Sequence, residues 1–200
     1  MQEAVAHTSE EDTESPKEYT SSIELTPPEP DSREAEAIKE YKSKLPEKLI
    51  EKLKSVTDGK NALIFCNSRG MVEEIAVALK GLSQDMIDNI FTHHAAISKS
   101  SRENTEQAAK EGLISPYIIC CTNTLELGID IGNLEMICQV DSIYSVSSLI
   151  QRAGRSGRRG GKSIIYVCCS KDWNLIRSIA CCNMYRSGMI EAPRRGVLWY

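Results

Sequence analysis

Several signatures that would assign this chain to a common class are missing from its 200 residues. It has no run of about 18 apolar residues, the length that a membrane-spanning helix needs, and no apolar segment near the N-terminus that would indicate secretion. No two of its eight cysteines form a CxxC pair, so neither a zinc site nor a disulfide framework is indicated. We therefore expect a reduced protein that is cytoplasmic or nucleoid-associated and does not contact a membrane.

Motifs that bind nucleotide phosphates are also missing. A P-loop requires GxxxxGK followed by Ser or Thr at the start of a helix. Gly161-Lys162-Ser163 has the final letters, but the position of the first glycine is Ser156, and the triplet precedes a predicted strand. The chain has no DExH or DEAD tetrapeptide. Its first predicted strand is followed by Cys66-Asn67-Ser68-Arg69-Gly70 instead of the GxGxxG of dinucleotide-binding enzymes, a class that is therefore disfavoured.

Charge is divided unevenly along the chain. Residues 1–34 contain ten acidic and two basic residues, a net charge of −8, whereas the remainder contains 18 acidic and 22 basic residues, a net charge of +4. Because residues 1–34 are also rich in Ser, Thr and Pro, we predict an acidic flexible tail or linker, with residues 19–25 as a candidate short strand. The basic remainder permits a polyanionic partner.

Strand and helix patterns alternate after this segment. Apolar runs predict strands over residues 62–66, 87–93, 117–121, 134–140 and 163–168. Helical spacing predicts helices over residues 34–56 with a break at Pro46, then 71–80, 98–111, a start at 145–150, and 172–187. The alternation predicts a three-layer α/β fold, a parallel sheet with helices on both faces. We expect one folded domain over residues 35–170, and a closing helix and the start of a following domain over residues 171–200.

Cysteines in the predicted strands are expected to be buried thiols. Free cysteine behaves as a small hydrophobic residue in such runs. The five residues concerned are Cys66, Cys120, Cys121, Cys138 and Cys168.

An arginine cluster follows the helix that begins at residue 145. The run Gln151-Arg152-Ala153-Gly154-Arg155-Ser156-Gly157-Arg158-Arg159 contains four arginines and no carboxylate. Guanidinium groups bind phosphate oxygens in a bidentate manner. Helical spacing would place Gln151, Arg155 and Arg158 on one face. The alternative on spacing alone is a basic surface loop without a ligand.

Polar turns follow the predicted strands, and ligands of parallel α/β sheets bind at the carboxyl ends of strands. These turns contain Asn67-Ser68-Arg69, His93-His94, Thr122-Asn123 and Gly128-Ile129-Asp130. The histidine pair has no second pair of ligands at suitable spacing, so a zinc site is disfavoured and no metal ligand is predicted.

Four segments in the expected order resemble motifs of superfamily 2 helicases. Residues 62–69 resemble motif IV, residues 93–102 motif IVa, residues 122–131 motif V and residues 151–158 motif VI. The words His93-His94 and Leu125-Glu126-Leu127-Gly128-Ile129-Asp130-Ile131-Gly132 are most similar to the large helicase-related, or Lhr-like, branch. The resemblance implies the second, C-terminal RecA-like lobe of such an enzyme, a P-loop NTPase-type fold.

The resemblance also implies a nucleotide site, in which ATP with Mg²⁺ lies between two lobes. Arg155 and Arg158 would reach the γ-phosphate, one or both as an arginine finger, because charge on the transferring phosphoryl group needs a positioned cation. Gln151 would position the site by hydrogen bonding. Gly128 would allow the backbone to approach the nucleotide, and Asp130 would accept a hydrogen bond from a ribose hydroxyl.

Contacts with DNA or RNA are implied for a second set of residues: Ser68, Arg69, His94, Arg102 and Thr122. Contacts with the sugar-phosphate backbone give affinity without sequence preference. Taken alone, Ser68 would be a helix cap and Arg102 a solvated charge.

The motifs for ATP phosphates and magnesium would belong to a first RecA-like lobe carrying Walker A and B motifs, in the same protein or in another chain. We therefore predict that this chain does not hydrolyse ATP alone. The alternative is a stand-alone lobe that binds nucleic acid or regulates a partner without catalysis.

Overall fold

The centre of the fold is a six-stranded sheet. The structure, a computed structural model, describes residues 3–7, 45–126, 131, 134–155 and 164–191. The strands are β1 (Glu3–His7), β2 (Ala62–Phe65), β3 (Ile90–His93), β4 (Ile118–Cys121), β5 (Met136–Val140) and β6 (Ile164–Cys168). Their order is β1-β6-β5-β2-β4-β3. Because β2 to β6 pair in parallel, the predicted parallel sheet is confirmed.

In the described part of the chain, five α-helices cover both faces of the sheet: α1 (Glu47–Thr57), α2 (Arg69–Leu82), α3 (Lys99–Glu111), α4 (Val146–Ala153) and α5 (Asp172–Arg186). Buried residues of α1 and α2 pack with one face, and those of α3, α4 and α5 with the other. Within β2, Leu63 and Phe65 point to one layer and Ile64 to the other, the period of two that a strand buried on both faces requires. The result is the predicted three-layer arrangement.

Serine caps fix where three of the helices begin. Ser68, Ser98 and Ser145 precede α2, α3 and α4, and each Oγ accepts a hydrogen bond from the backbone amide three residues later, at 3.0 to 3.2 Å. Such a cap satisfies an amide that has no partner within the helix. α3 ends at Gly112, whose φ of 71° lies in the left-handed region favoured by glycine.

The second predicted strand is shorter than its apolar pattern suggested. β3 begins at Ile90, and residues Gln84–Asn89 form a 3-10 helix instead. The side chain of Asn89 donates to the carbonyl oxygen of Pro116 over 2.9 Å. The entry to β3 is therefore held by a distant turn, which local periodicity does not report.

The predicted flexible segment over residues 1–34 is corrected at Glu3–His7. These residues form β1, which pairs antiparallel with β6. The edge of β6 supplies hydrogen-bonding partners that lie far away in sequence. The rest of the segment, including residues 19–25, lies outside the described residues.

The closing helix belongs to the core of the same lobe. Leu175 and Cys181 on α5 are buried in the cluster that also contains residues of α3 and α4. Residues 192–200, within the predicted start of a further domain, lie outside the described residues. Among the described residues, no helix has both the length and the apolar character needed to cross a membrane.

All eight cysteines are free thiols, and the five predicted in strands are buried. Burial raises the pKa of Cys120 and Cys138 well above the ordinary thiol value. A protonated, enclosed thiol is a poor nucleophile. These residues therefore serve the packing of the sheet.

Candidate nucleotide and nucleic-acid site

Turns after neighbouring strands meet at the carboxyl edge of the sheet. Asn67, after β2, donates from Nδ2 to the carbonyl oxygen of Ser142, after β5, over 3.0 Å. The amide of Thr122, after β4, donates to the carbonyl oxygen of His93 at the end of β3 over 3.2 Å. The strand order places β2 between β5 and β4, with β3 beyond β4, so the predicted polar turns at residues 67–69, 93–94 and 122–123 lie along one edge. The fourth predicted turn, residues 128–130, lies outside the described residues.

A buried arginine links this edge to α4. The Arg152 side chain, 7% exposed, donates from Nε to the Glu126 carboxylate over 2.7 Å and also pairs with it through Nη2. Its Nη1 donates to the side-chain oxygen of Gln139 on β5, and its guanidinium lies 5.0 Å from the ring centroid of Phe65. A buried charge is tolerated when it is paired and hydrogen-bonded in this way.

Arg155 also contacts Glu126, through the backbone of that residue. Its Nη2 donates to the backbone carbonyl oxygen of Glu126 over 2.6 Å. Glu126 therefore binds Arg152 through its carboxylate and Arg155 through its backbone. These contacts hold the motif V turn against the motif VI segment, and they place the half-buried Arg155 guanidinium beside the turn that precedes Gly128.

The helix predicted to start at residues 145–150 ends within the arginine cluster. α4 stops at residue 153. The amide of Gly154 donates to the carbonyl oxygen of Ile150 over 2.7 Å, and the amide of Arg155 donates to the carbonyl oxygen of Arg152 over 3.0 Å. The last turn is thus tightened in the 3-10 manner. Gln151 is half-buried in the final helical turn, and Arg155 lies in the turn beyond it. The shared helical face that the spacing would allow therefore does not extend from Gln151 to Arg155, and Arg158 lies outside the described residues.

Three predicted nucleotide-site residues, Gly128, Asp130 and Arg158, lie outside the described residues. Their assigned roles remain predictions.

Four residues predicted to contact nucleic acid lie on elements that start from the carboxyl edge. Ser68 and Arg69 are exposed at the N-terminus of α2, where unpaired amides and the helix dipole favour an anion. Thr122 precedes the 3-10 helix Asn123–Leu125, and the half-buried Arg102 lies in the first turn of α3. Ser68 caps its helix, as predicted, and its exposure leaves it accessible to a ligand.

His94 is corrected, because its ring is enclosed. The side chain is 2% exposed, and its Nε2 lies 3.2 Å from a carboxylate oxygen of Glu73. A phosphate in solvent does not reach a side chain so deeply buried, so His94 is not placed to contact one directly. In the described part of the chain, no group of three or more His, Cys, Asp or Glu side chains is placed to hold a metal ion.

His93 is buried as well, but both its ring nitrogens are engaged. Nε2 lies 2.7 Å from a carboxylate oxygen of Glu106, and Nδ1 lies 2.9 Å from Oγ1 of Thr124. Burial lowers the pKa of His93, while the neighbouring Glu106 opposes the shift and Arg102 adds to it. The ring thus joins the end of β3 to α3 and to the turn after β4.

Arg152, Glu126 and Gln139 were missed as members of the site. Gln139 is the one polar residue of β5, and Glu126 stands between two leucines. Polar residues in apolar runs signal buried hydrogen bonds, so their presence was detectable. Their pairing was not, because the partners lie 13 and 26 residues from Arg152.

The family described as helicase conserved C-terminal domain matches residues 44–160. The ATP-dependent helicase Lhr-Core of Methanocaldococcus jannaschii is 38% identical over 112 residues, which cover 56% of this chain and 12% of the relative. The ATP-dependent helicase hrq1 of Schizosaccharomyces pombe is 33% identical over 152 residues, 72% of this chain and 13% of the relative. The chain thus corresponds to about an eighth of the length of these relatives.

Solved structures resemble the fold. The helicase Lhr of Mycobacterium smegmatis, bound to single-stranded DNA and AMP-PNP, matches 89% of this chain and 23% of that chain, with a TM-score of 0.66 and 24% identity. The DUF1998 helicase MrfA, bound to DNA and AMPPNP, matches 77% of this chain and 23% of that chain, with a TM-score of 0.60 and 25% identity. The fold is RecA-like, and the chain belongs to the helicase conserved C-terminal domain family, as a C-terminal lobe of the Lhr-like branch.

Proposed function

We propose that this chain is the second motor lobe of an ATP-dependent DNA or RNA helicase. The observation that carries the proposal is the double contact at Glu126, which joins the motif V turn to Arg152 and Arg155 of motif VI. A motor lobe must couple nucleic-acid contacts to nucleotide contacts. In the proposed assignment, the motif V segment contacts nucleic acid through Thr122, and the motif VI segment contacts the nucleotide through Arg155.

Arg155 and Arg158 supply the positive charge that faces the nucleotide, with Gln151 positioning the site. The half-buried Arg155 guanidinium is held by a backbone carbonyl, so it need not reorganise when negative charge develops beside it. Gly128 and Asp130 contribute backbone approach and a ribose contact. ATP would supply the phosphoryl group, and Mg²⁺ would be held mainly by a first lobe with Walker A and B motifs.

Ser68, Arg69, Arg102 and Thr122 bind the sugar-phosphate backbone of single-stranded DNA or RNA. Two positive side chains and the N-terminus of α2 supply charge without contacts to bases. Affinity should therefore depend on salt more than on sequence.

The test is nucleic-acid-stimulated ATPase activity of this chain alone, mixed with the first lobe of an Lhr-like relative, and fused to that lobe. We expect activity in the fusion or the mixture and none in the chain alone. Arg155→Ala should reduce turnover by about a thousandfold or more, the usual contribution of an arginine finger. Arg155→Lys should not restore it, because lysine lacks the planar fork.

Arg177→Ala is the matched control, since Arg177 lies on α5, outside the arginine run at residues 151–159, and stacks over Tyr144, 5.1 Å from its ring centroid. Normal turnover of both Arg155 variants would refute Arg155 as the finger, and normal turnover of Arg158→Ala as well would refute the finger assignment. Nucleic-acid binding without ATPase activity in any combination would favour the alternative, a binding or regulatory lobe without catalysis.

A further inference from the structure

We propose that His93 is a positioning residue that ties α3 to the turn after β4, so that the nucleic-acid contacts of Arg102 and Thr122 are set together. The inference rests on the proposed function, because it concerns how two of the proposed backbone contacts are held.

The geometry of the ring is specific. His93 is fully buried, and its two nitrogens meet side chains from two different elements, Glu106 on α3 at 2.7 Å and Thr124 after β4 at 2.9 Å. Oγ1 of Thr124 also lies 3.2 Å from the backbone carbonyl oxygen of His93, with the hydroxyl as donor. The same carbonyl accepts from the amide of Thr122 over 3.2 Å. One residue therefore makes four contacts with two separate segments.

The two segments carry the proposed ligands at close spacing. Arg102 lies four residues before Glu106, which is one turn along the same helix. Thr122 lies two residues before Thr124. Glu126 follows, with its amide bonded to the carbonyl oxygen of Asn123 over 3.0 Å. A shift of the His93 ring would therefore change the distance between the two proposed phosphate contacts.

Shape alone does not explain a histidine at this place. An apolar residue would fill a buried site without requiring two hydrogen-bonding partners, and a buried polar network stabilises only when it is fully satisfied. His94 shows the contrast. It is buried too, and its Nε2 lies 3.2 Å from a carboxylate oxygen of Glu73, whose side chain is 62% exposed. Neither of its ring nitrogens meets hydrogen-bond geometry with a described residue. The satisfied pair of contacts at His93 points to precise placement of the two segments.

The test measures binding of fluorescein-labelled single-stranded DNA, and of an RNA counterpart, to the 200-residue chain by anisotropy at several salt concentrations. His93→Leu should weaken binding about tenfold, a change of 1.4 kcal/mol. The slope of affinity against salt should fall by about one, as expected when one phosphate contact is lost.

A double-mutant cycle separates positioning from general loss of stability. In an Arg102→Ala background, His93→Leu should have little further effect on binding, because the contact that it sets is already gone. Ser178→Ala is the control for stability. Its hydroxyl is buried on α5 and donates to the carbonyl oxygen of Asn174 over 2.9 Å. α5 packs against β1 and β6, at the edge of the sheet opposite β3 and His93. This variant should lose stability and keep its affinity.

Conservative variants test the two hydrogen bonds of the His93 ring separately. In His93→Asn the side-chain amide can replace the contact with Thr124, and in His93→Gln it can replace the contact with Glu106. Each variant should therefore bind the oligonucleotide more tightly than His93→Leu and less tightly than the unmodified chain. Glu106→Gln and Thr124→Val approach the same contacts from the partners, and they serve where His93→Leu does not fold.

The outcomes are distinct. Two results would overturn the positioning role and leave the proposed function intact. One is that His93→Leu and Arg102→Ala have additive effects on the binding free energy. The other is that the His93 and Thr124 variants bind the oligonucleotide as tightly as the unmodified chain. Failure of the unmodified chain to bind either oligonucleotide would overturn the proposed nucleic-acid function, and the inference with it.

Discussion

The backbone carbonyl oxygen of Glu126 lies 2.6 Å from Nη2 of Arg155, so the proposed catalytic arginine is bonded directly to the turn that follows β4. The carboxylate of Glu126 meanwhile pairs with the buried Arg152. Movement of this turn would therefore be transmitted to both arginines. The proposed nucleic-acid contact Thr122 lies four residues before Glu126 in the chain, and Glu126 is joined to Arg155 by one hydrogen bond. This path physically connects the proposed nucleic-acid contact to the proposed nucleotide contact.

Removing the carboxylate of Glu126 should destabilise the lobe. Glu126→Ala leaves the Arg152 guanidinium, 7% exposed, without its counter-charge, and we expect the free energy of unfolding to fall by about 3 to 5 kcal/mol. Urea denaturation followed by circular dichroism measures the loss.

The control for this pair is the double variant Glu126→Leu with Arg152→Met. It replaces both charges by apolar side chains and should recover much of the lost stability. A Glu126→Ala variant as stable as the original chain would mean that the contacts of Arg152 with Gln139 and Phe65 suffice without a counter-charge, and it would contradict this prediction.

Ser68→Asp should separate the two roles of this serine. Aspartate is a good N-cap and replaces the bond to the Met71 amide, so stability should be retained, while the added negative charge should weaken binding of single-stranded DNA. Ser68→Asn keeps the cap without a charge and should bind more tightly than Ser68→Asp. Anisotropy titrations of the two variants make the comparison, and equal affinities would show that no phosphate lies near residue 68.

Adjacent residues of α5 should respond differently to truncation. Leu175 is 5% exposed and lies in the core, whereas Ile176 is 56% exposed. Leu175→Ala should cost about 2 to 4 kcal/mol, and Ile176→Ala should change stability by less than about 0.5 kcal/mol. Thermal unfolding of both variants tests whether α5 packs in this register; similar losses would contradict it.

The stability of the lobe should depend on pH through His93. Burial lowers its pKa in the folded state against the opposing effect of Glu106, and Arg102 adds to the lowering. The unfolded chain therefore binds the proton more readily. Stability should rise with pH across the window between this lowered pKa and about 6.5, by at most about 1.4 kcal/mol per pH unit.

Urea unfolding across mildly acidic pH measures this dependence. His93→Gln should flatten the slope within the window. Glu191 titrates in a lower range, because hydrogen bonds from the amides of Val146 and Ser147 lower its pKa. Its contribution should be present above the unfolded carboxyl pKa and be lost at more acidic pH. An unchanged slope in His93→Gln would exclude His93 as the responsible group.

Local sequence patterns predicted the main elements because the physics behind them is local. The runs around Leu63 and Ile119 are apolar on both faces, as a buried parallel strand requires. Ser68 and Ser98 precede helices in the pattern that capping demands. The motif words at residues 122–131 and 151–158 likewise identified the family, later supported by the match over residues 44–160.

Local patterns failed where the outcome depended on a distant partner. Arg152 and Arg155 both contact Glu126, which lies 26 and 29 residues away in sequence. The two neighbouring histidines are indistinguishable in sequence. Only His93 meets two partners in the fold, whereas His94 is enclosed near Glu73.

The sequence by itself determined a parallel α/β lobe and the segments that face its carboxyl edge, because apolar periodicity, caps and short motifs act over a few residues. Tertiary structure alone decided which polar side chains are buried together. The pairing of Arg152 with Glu126 and Gln139 joins residues 13 to 26 positions apart, and the energy of such a contact depends on burial and geometry that exist only after the sheet has formed.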